Sequence, residues 1–196
     1  MNKLLLTVGK NTWFVSDTHF NHIKLTQSCE DRFENCRKYF DSDEMNGDII
    51  EQWNLKIKPN DTVIFCGDFI LNIRYSELPE EFHRLMNVLN GKKYFIMGNH
   101  DYALRKKLKG EVEFYDYAIL NFNGKNYFVQ HRDFNENTYF LGQEIENGLD
   151  LNNTVLIHGH THDSLPWKNC DFFGGKKMNN VCWDAWYRPV NITELD

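Results

Sequence analysis

Thr12-Trp13-Phe14-Val15-Ser16-Asp17-Thr18-His19 is a run of β-branched and aromatic residues that stops abruptly at an aspartate and a histidine. The same pattern returns four times. Thr62–Cys66 leads into Gly67-Asp68, and Lys93–Met97 leads into Gly98-Asn99-His100-Asp101. Asn126–Gln130 leads into His131, and Thr154–Ile157 leads into His158-Gly159-His160-Thr161-His162. Short runs of this composition read as buried strands, and polar groups gathered at strand carboxyl ends line one edge of a sheet. Six of the chain's eight histidines fall in these five segments, a concentration that predicts a metal site.

Working outward, Met45, Ile49, Ile50, Trp53 and Ile57 share one helical stripe, with Asp43, Glu44, Asp48 and Glu51 turned away. Asp41 or Ser42 is placed to cap this helix, and Pro59 lies beyond its end. Phe82, Leu85, Met86 and Leu89 predict a second helix over 79–90, with Pro79 in its first turn and Gly91 at its C-terminal cap. A short basic helix is expected over 102–109, with Arg105, Lys106, Lys107 and Lys109 on a solvated face. The first half is therefore βαβαβ, which implies parallel strands. Beyond it, 114–122 and 125–129 read as strands around Asn123-Gly124, a two-residue hairpin signal. A helix is expected over 137–147, and terminal strands near 177–183 and 186–190 make the second half hairpin-rich. This order predicts an α/β fold (α+β by some schemes): a four-layer α/β/β/α sandwich of two mixed sheets flanked by helices, its site at strand carboxyl ends, with residues 1–196 as one domain.

Composition narrows the function classes. With 196 residues, 41% of them hydrophobic, the chain is large enough for a sizeable core. A net charge of −6 leaves no basic field to hold a nucleic-acid backbone. A small nucleotide stays compatible, because bound cations reverse the local potential. Cys29, Cys36, Cys66, Cys170 and Cys182 are odd in number without a Cys-x-x-Cys pair, so they read as reduced core thiols of an intracellular protein. Met1–Val8 imitates a signal peptide, but its apolar stretch is too short for one. No run approaches the roughly 18 apolar residues of a membrane span. The expectation is a cytoplasmic protein with no membrane partner and no extended nucleic-acid partner; its oligomeric state is left open.

A pair of divalent ions about 3.5–4 Å apart needs a shared carboxylate, several imidazoles and a neutral oxygen ligand. Asp17, His19, Asp68, Asn99, His131, His160 and His162 offer that set. Glycine before Asp68, Asn99 and His160 is expected to let the backbone turn sharply as it leaves the sheet. Mixed nitrogen and oxygen ligation suits Mn, Fe or Zn over Ca; the expected cofactors are two divalent transition-metal ions, with Mn preferred and Fe, Zn or Ni as alternatives.

Taken in order, Asp17-x-His19, Gly67-Asp68, Gly98-Asn99-His100-Asp101, His131 and Gly159-His160-x-His162 resemble the five motifs of the calcineurin-like metallophosphoesterases, over nearly the whole chain. Trp13-Phe14-x-Ser16-Asp17-Thr18-His19-Phe20-x-His22, with Asn180-Val181…Asp184…Tyr187-Arg188-Pro189-Val190, is similar to the small bacterial and phage members. The resemblance implies one metal on Asp17, His19 and His162, a second on Asn99, His131 and His160, and Asp68 bridging them. It implies that a metal-bound hydroxide attacks phosphorus in line, with His100 assisting the leaving group and Asp101 orienting His100. It also implies a small phosphate-ester substrate, with nucleotide-type phosphodiesters first and a phosphoprotein or small-molecule phosphomonoester as the alternative. A non-catalytic metal-binding scaffold is the third reading. His22 and Arg32 are candidate substrate contacts; Asp184 and His158 are candidate supports behind the ligands. Many members carry a second aspartate where this chain has Leu71; by the resemblance that aspartate supports the site without binding metal.

Overall fold

The computed structural model describes residues 2–26 and 37–195. In chain order the strands are β1 (Lys3–Thr7), β2 (Thr12–Val15), β3 (Thr62–Phe65), β4 (Lys92–Ile96), β5 (Phe114–Tyr115), β6 (Tyr117–Phe122), β7 (Lys125–Val129), β8 (Thr154–His158), β9 (Trp167–Cys170), β10 (Lys176–Asn180) and β11 (Val190–Asn191). The α-helices are α1 (Ser42–Lys56), α2 (Leu78–Val88), α3 (Tyr102–Lys107), α4 (Tyr139–Glu146) and the single turn α5 (Trp183–Trp186). A five-stranded sheet has the order β11-β2-β3-β4-β5, and a six-stranded sheet has the order β1-β6-β7-β8-β10-β9.

Strand alternation sorts the apolar side chains into three interfaces. On β3, Val63 and Phe65 face one way and Ile64 and Cys66 the other. The outward set packs with Met45, Ile49 and Trp53 of α1 and Phe82 and Leu85 of α2. The inward set meets Ala118, Leu120, Val129, Val155 and Ile157 of the other sheet. Beyond that sheet, Tyr117, Phe128 and Met178 pack with Leu141 of α4. The result is the four-layer α/β/β/α sandwich. Burying each large apolar side chain in these layers is worth about 1.5–3 kcal/mol, and Phe65, Phe69 and Phe95 add edge-on or tilted ring contacts at 4.8–5.7 Å.

The βαβαβ reading holds: β2, β3 and β4 are parallel, with α1 and α2 between them, and the Asp41 carboxylate caps α1 through the amides of Asp43 and Glu44. The hairpin at Asn123-Gly124 also holds, with positive φ at both residues. The second half departs from expectation. Pairs β1–β6, β7–β8 and β8–β10 are parallel, and only β6–β7 and β9–β10 are antiparallel within that sheet. The run expected as one strand over 114–122 is two. Phe114–Tyr115 pairs with β4, then the chain changes sheets at Asp116, whose carboxylate and amide are held by the backbone of Asn2. The strand expected to reach Trp183 ends at Asn180, because the Trp183 and Tyr187 amides bond the carbonyls of Ser16 and Trp183, closing a helical turn. Of the last expected strand only Val190–Asn191 pairs, antiparallel to β2. The apolar start is edge strand β1.

Among the described residues no helix is long and apolar enough to cross a membrane.

Candidate metal centre

The carboxyl ends of β2, β3 and β4 in one sheet and of β7 and β8 in the other open onto the same place. The sheets are stitched together there: the Ser16 amide bonds the Val181 carbonyl and the Trp183 amide bonds the Ser16 carbonyl, while the Val181 amide extends the β8–β10 pairing to the His158 carbonyl. Five of the seven predicted ligand residues, Asp17, His19, Asp68, His160 and His162, hold left-handed backbone with φ between 47° and 74°. Non-glycine residues adopt that region at a cost, and such strain gathers at functional sites. The glycines therefore act differently from expectation. Only Gly67 turns with positive φ. Gly98 and Gly159 allow close approach instead: a Cβ at Gly98 would lie 2.1 Å from Asp68 Oδ1, and one at Gly159 would lie 2.1 Å from Ser16 Oγ.

Two groups of side chains each present ligand atoms within 4.8 Å of one another: Asp17, His19 and His162, and Asp68, His131 and His160. In the first, Asp17 Oδ2 takes the His160 amide at 2.9 Å and the Cys182 thiol at 3.0 Å. Asp17 Oδ1 is buried and has no hydrogen-bond partner among the described residues. It lies 3.5 Å from His162 Nε2 and 3.8 Å from His19 Nε2, and these two nitrogens face each other at 3.0 Å. An orphaned carboxylate oxygen is costly when buried, and a cation shared with the two facing imidazoles satisfies it. The donor set fits a divalent ion.

In the second group, His131 Nδ1 lies 2.8 Å from the Cys66 carbonyl, which fixes the proton there and leaves Nε2 for the site. Asn99 Oδ1 stands 3.0 Å from that Nε2. Asp68 joins the groups: its Oδ1 accepts the His100 amide at 2.8 Å, and its Oδ2 lies 3.7 Å from His19 Nε2 and 3.4 Å from His131 Nε2.

The electrostatics follow from burial and neighbours. Burial, then His162, holds His19 well below the ordinary histidine value and so neutral. For His131, burial is outweighed by Asp17, Asp68 and the Cys66 carbonyl, and the value rises to about 9. His162 is likewise raised, because Asp184 and Asp17 outweigh its burial. Burial and the adjacent Asp17 push the Cys66 and Cys182 thiols up, so both are neutral core groups.

Asp184 stands where the sequence suggested, with Oδ2 2.8 Å from His162 Nδ1. Arg37, fully buried, grips Asp184 with two bonds of 2.9 Å and donates to the carbonyls of Asp17 and Thr18. Nothing in the local sequence marks this arginine, since its partner lies 147 residues away. Asp101 differs from expectation. Its carboxylate accepts the amides of Asp68, Gly98 and Phe69 at 2.8, 2.8 and 3.0 Å, and so ties two ligand turns together in place of orienting the His100 ring. The turn is further held where the Leu71 amide bonds the Phe20 carbonyl.

His100 is exposed at the rim, its ring edge-on to His19 with centroids 5.6 Å apart. His22 is half-buried, 5.4 Å from His19 by centroids, and burial followed by the charge of His100 lowers it to about 4. His158 is not brought into either group. It is fully buried on β8, with Nδ1 on the Gly159 carbonyl and its ring against Phe134. Arg32 lies outside the described residues. Arg132, passed over in the sequence, reaches within 3.3 Å of His160 Nε2.

A family model described as calcineurin-like phosphoesterase matches residues 10–191. An uncharacterised protein of Methanocaldococcus jannaschii is 29% identical over 188 residues, which cover 93% of this chain and 88% of that one. The crystal structure of a protein of unknown function from Aquifex aeolicus superposes with a TM-score of 0.64 at 26% identity, covering 93% of this chain and 96% of that one.

Proposed function

Since this chain belongs to the calcineurin-like phosphoesterase family, we propose that it hydrolyses phosphate esters on two divalent cations, with nucleotide-type phosphodiesters as the favoured substrates. The observation that carries the reading is Asp68 Oδ2, placed between a nitrogen of each group at 3.7 and 3.4 Å. Asp17, His19 and His162 would hold one cation, and Asn99, His131 and His160 would hold the other, with Asp68 placed to serve both. Mn is the first candidate, and Fe, Zn and Ni suit the same donors. When bound, such a pair neutralises phosphate charge and lowers the pKa of water toward neutrality.

The chain's own residues do the rest. The strained turns at Asp17, His19, Asp68, His160 and His162 are already in place, so little reorganisation is needed when the site fills. His131 and His162 each spend Nδ1 on a fixed acceptor, which aims Nε2 inward. His100 stands free at the rim while its amide is anchored on Asp68. It gives a ring proton to the ester oxygen as the P–O bond to the leaving group breaks, while the water that forms the new P–O bond releases one proton to solvent, from which the ring is reprotonated. Residues 1–196 act as one catalytic domain, working in the cytoplasm.

The test is metal-stripped protein, with Mn added back, on a chromogenic phosphodiester and the matching monoester. Asp68→Asn is expected to lower turnover at least a thousandfold on both esters. His100→Ala should lower it about a hundred- to ten-thousandfold while leaving two bound cations. Activity that survives both Asp68→Asn and thorough chelation sinks the mechanism, and turnover of phosphoproteins alone sinks the substrate class.

A further inference from the structure

Next to the second group of ligands lies a pocket of about 180 Å³, bordered by Asn99, His131, Arg132, Asn137, Asp116 and Phe140. Whole-ligand pockets run from roughly 300 to 1,000 Å³, so this one takes a single chemical group. At its rim the exposed Arg132 points Nη1 at His160 Nε2, 3.3 Å away, and at Glu136 Oε2, 3.2 Å away. The rim is rigid, because the buried Gln130 side chain donates Nε2 to the carbonyls of both Arg132 (2.8 Å) and Asn137 (2.7 Å).

This placement has a consequence. A cation on His160 would face a guanidinium across a few ångströms, and like charges in a half-buried site repel. An anion between them removes the conflict. In the resting protein Glu136 supplies that anion, its Oε2 3.2 Å from both Arg132 Nη1 and His160 Nε2, whereas a phosphate offers more charge and two oxygens to a planar fork. In the same lining, Phe140 is held by stacking on Tyr117, with centroids 5.0 Å apart and planes at 21°. Asp116, with one oxygen already on the Asn2 amide, adds an acceptor to the same wall. A flat ring carrying N–H donors matches these linings.

We propose that this pocket is the subsite for the esterified group of the substrate: Arg132 grips a phosphate oxygen in exchange for Glu136, and the pocket takes a flat ring with N–H donors, as in a nucleobase with an exocyclic amine. The proposal rests on the phosphoesterase reading and names its substrate class.

The experiment uses Mn-loaded full-length protein, titrated calorimetrically with inorganic phosphate, ribose 5-phosphate and adenosine 5′-monophosphate, beside a turnover assay on a chromogenic diester. Arg132→Ala is expected to weaken inorganic phosphate at least tenfold with two cations still bound, and Arg132→Lys should recover part of the loss. Wild-type protein should bind the adenosine ester at least tenfold more tightly than the ribose ester, and Phe140→Leu should shrink that gap below threefold. Unchanged phosphate affinity in Arg132→Ala, or equal affinity of wild type for the two organic phosphates, overturns the subsite while leaving the hydrolase reading intact. Wild-type protein that neither turns over the diester nor binds phosphate removes both.

Discussion

The two halves of the centre each have two buried ligands and one half-buried histidine, and they differ in plan through what surrounds those ligands. Asp17 and His19 are almost fully buried, and His162 is backed by Asp184 and Arg37, whose side chains are closed to solvent. On the other side Asn99 is exposed, His160 is half-buried, and the ligands border an open pocket. Each plan suits a different task. A donor set supported by a buried ion pair favours retention of an ion, while one that meets solvent and an exposed arginine leaves room for an incoming anion. The shared Asp68 and the three amides on Asp101 keep the halves in register.

The contrast can be broken most strongly at Arg37. Arg37→Met leaves Asp184 and two carbonyls buried without their cation, and removing one partner of such a pair costs about 3–5 kcal/mol. Denaturant unfolding should show that loss, and cation titration should show the first site weakened about 10–100-fold, as for a lost outer partner of a ligand. An equal loss at the second site would mean that the halves are one unit. His160→Ala sharpens the same contrast from the open side. The expected result is one bound cation in place of two by elemental analysis, with stability of the metal-free protein changed by less than about 1 kcal/mol, since the residue is half-exposed.

The mildest test uses pH. In the metal-free protein His131 is raised from 6.5 to about 9, so its proton is bound more tightly folded than unfolded. That contribution to stability is fully present below 6.5 and is lost as pH rises through about 9. A cation must displace the same proton, so second-site affinity should climb with pH over this window, by at most about tenfold per unit. Calorimetry in buffers of different ionisation enthalpy would register the released proton. Flat affinity between pH 7 and 9 would show that His131 is already neutral.

The five strands, the two crossover helices and the donor residues at strand ends were legible in the sequence, because each is written in a few consecutive side chains. Periodicity marks a buried strand, and a glycine next to an aspartate or asparagine marks the turn after it. Asp184 was legible through its place in a longer pattern. The second sheet was read less well: the strand that switches sheets at Asp116 and the helical turn at Trp183 depend on partners elsewhere, at Asn2 and Ser16.

Arg37 illustrates the remaining gap. Its meaning lies in Asp184, 147 residues along the chain, and no local pattern encodes such a distance. The carboxylate of Asp101 and the guanidinium of Arg132 are similar cases, since hydrogen-bond partners are chosen only after the turns converge. By itself the sequence determined which donor atoms the protein owns and on which strand ends they sit. Tertiary structure decided which oxygen of Asp17 is left unpaired, which imidazole nitrogen faces inward, and which half of the centre borders a pocket. Those are questions of distance and direction between segments, and packing alone answers them.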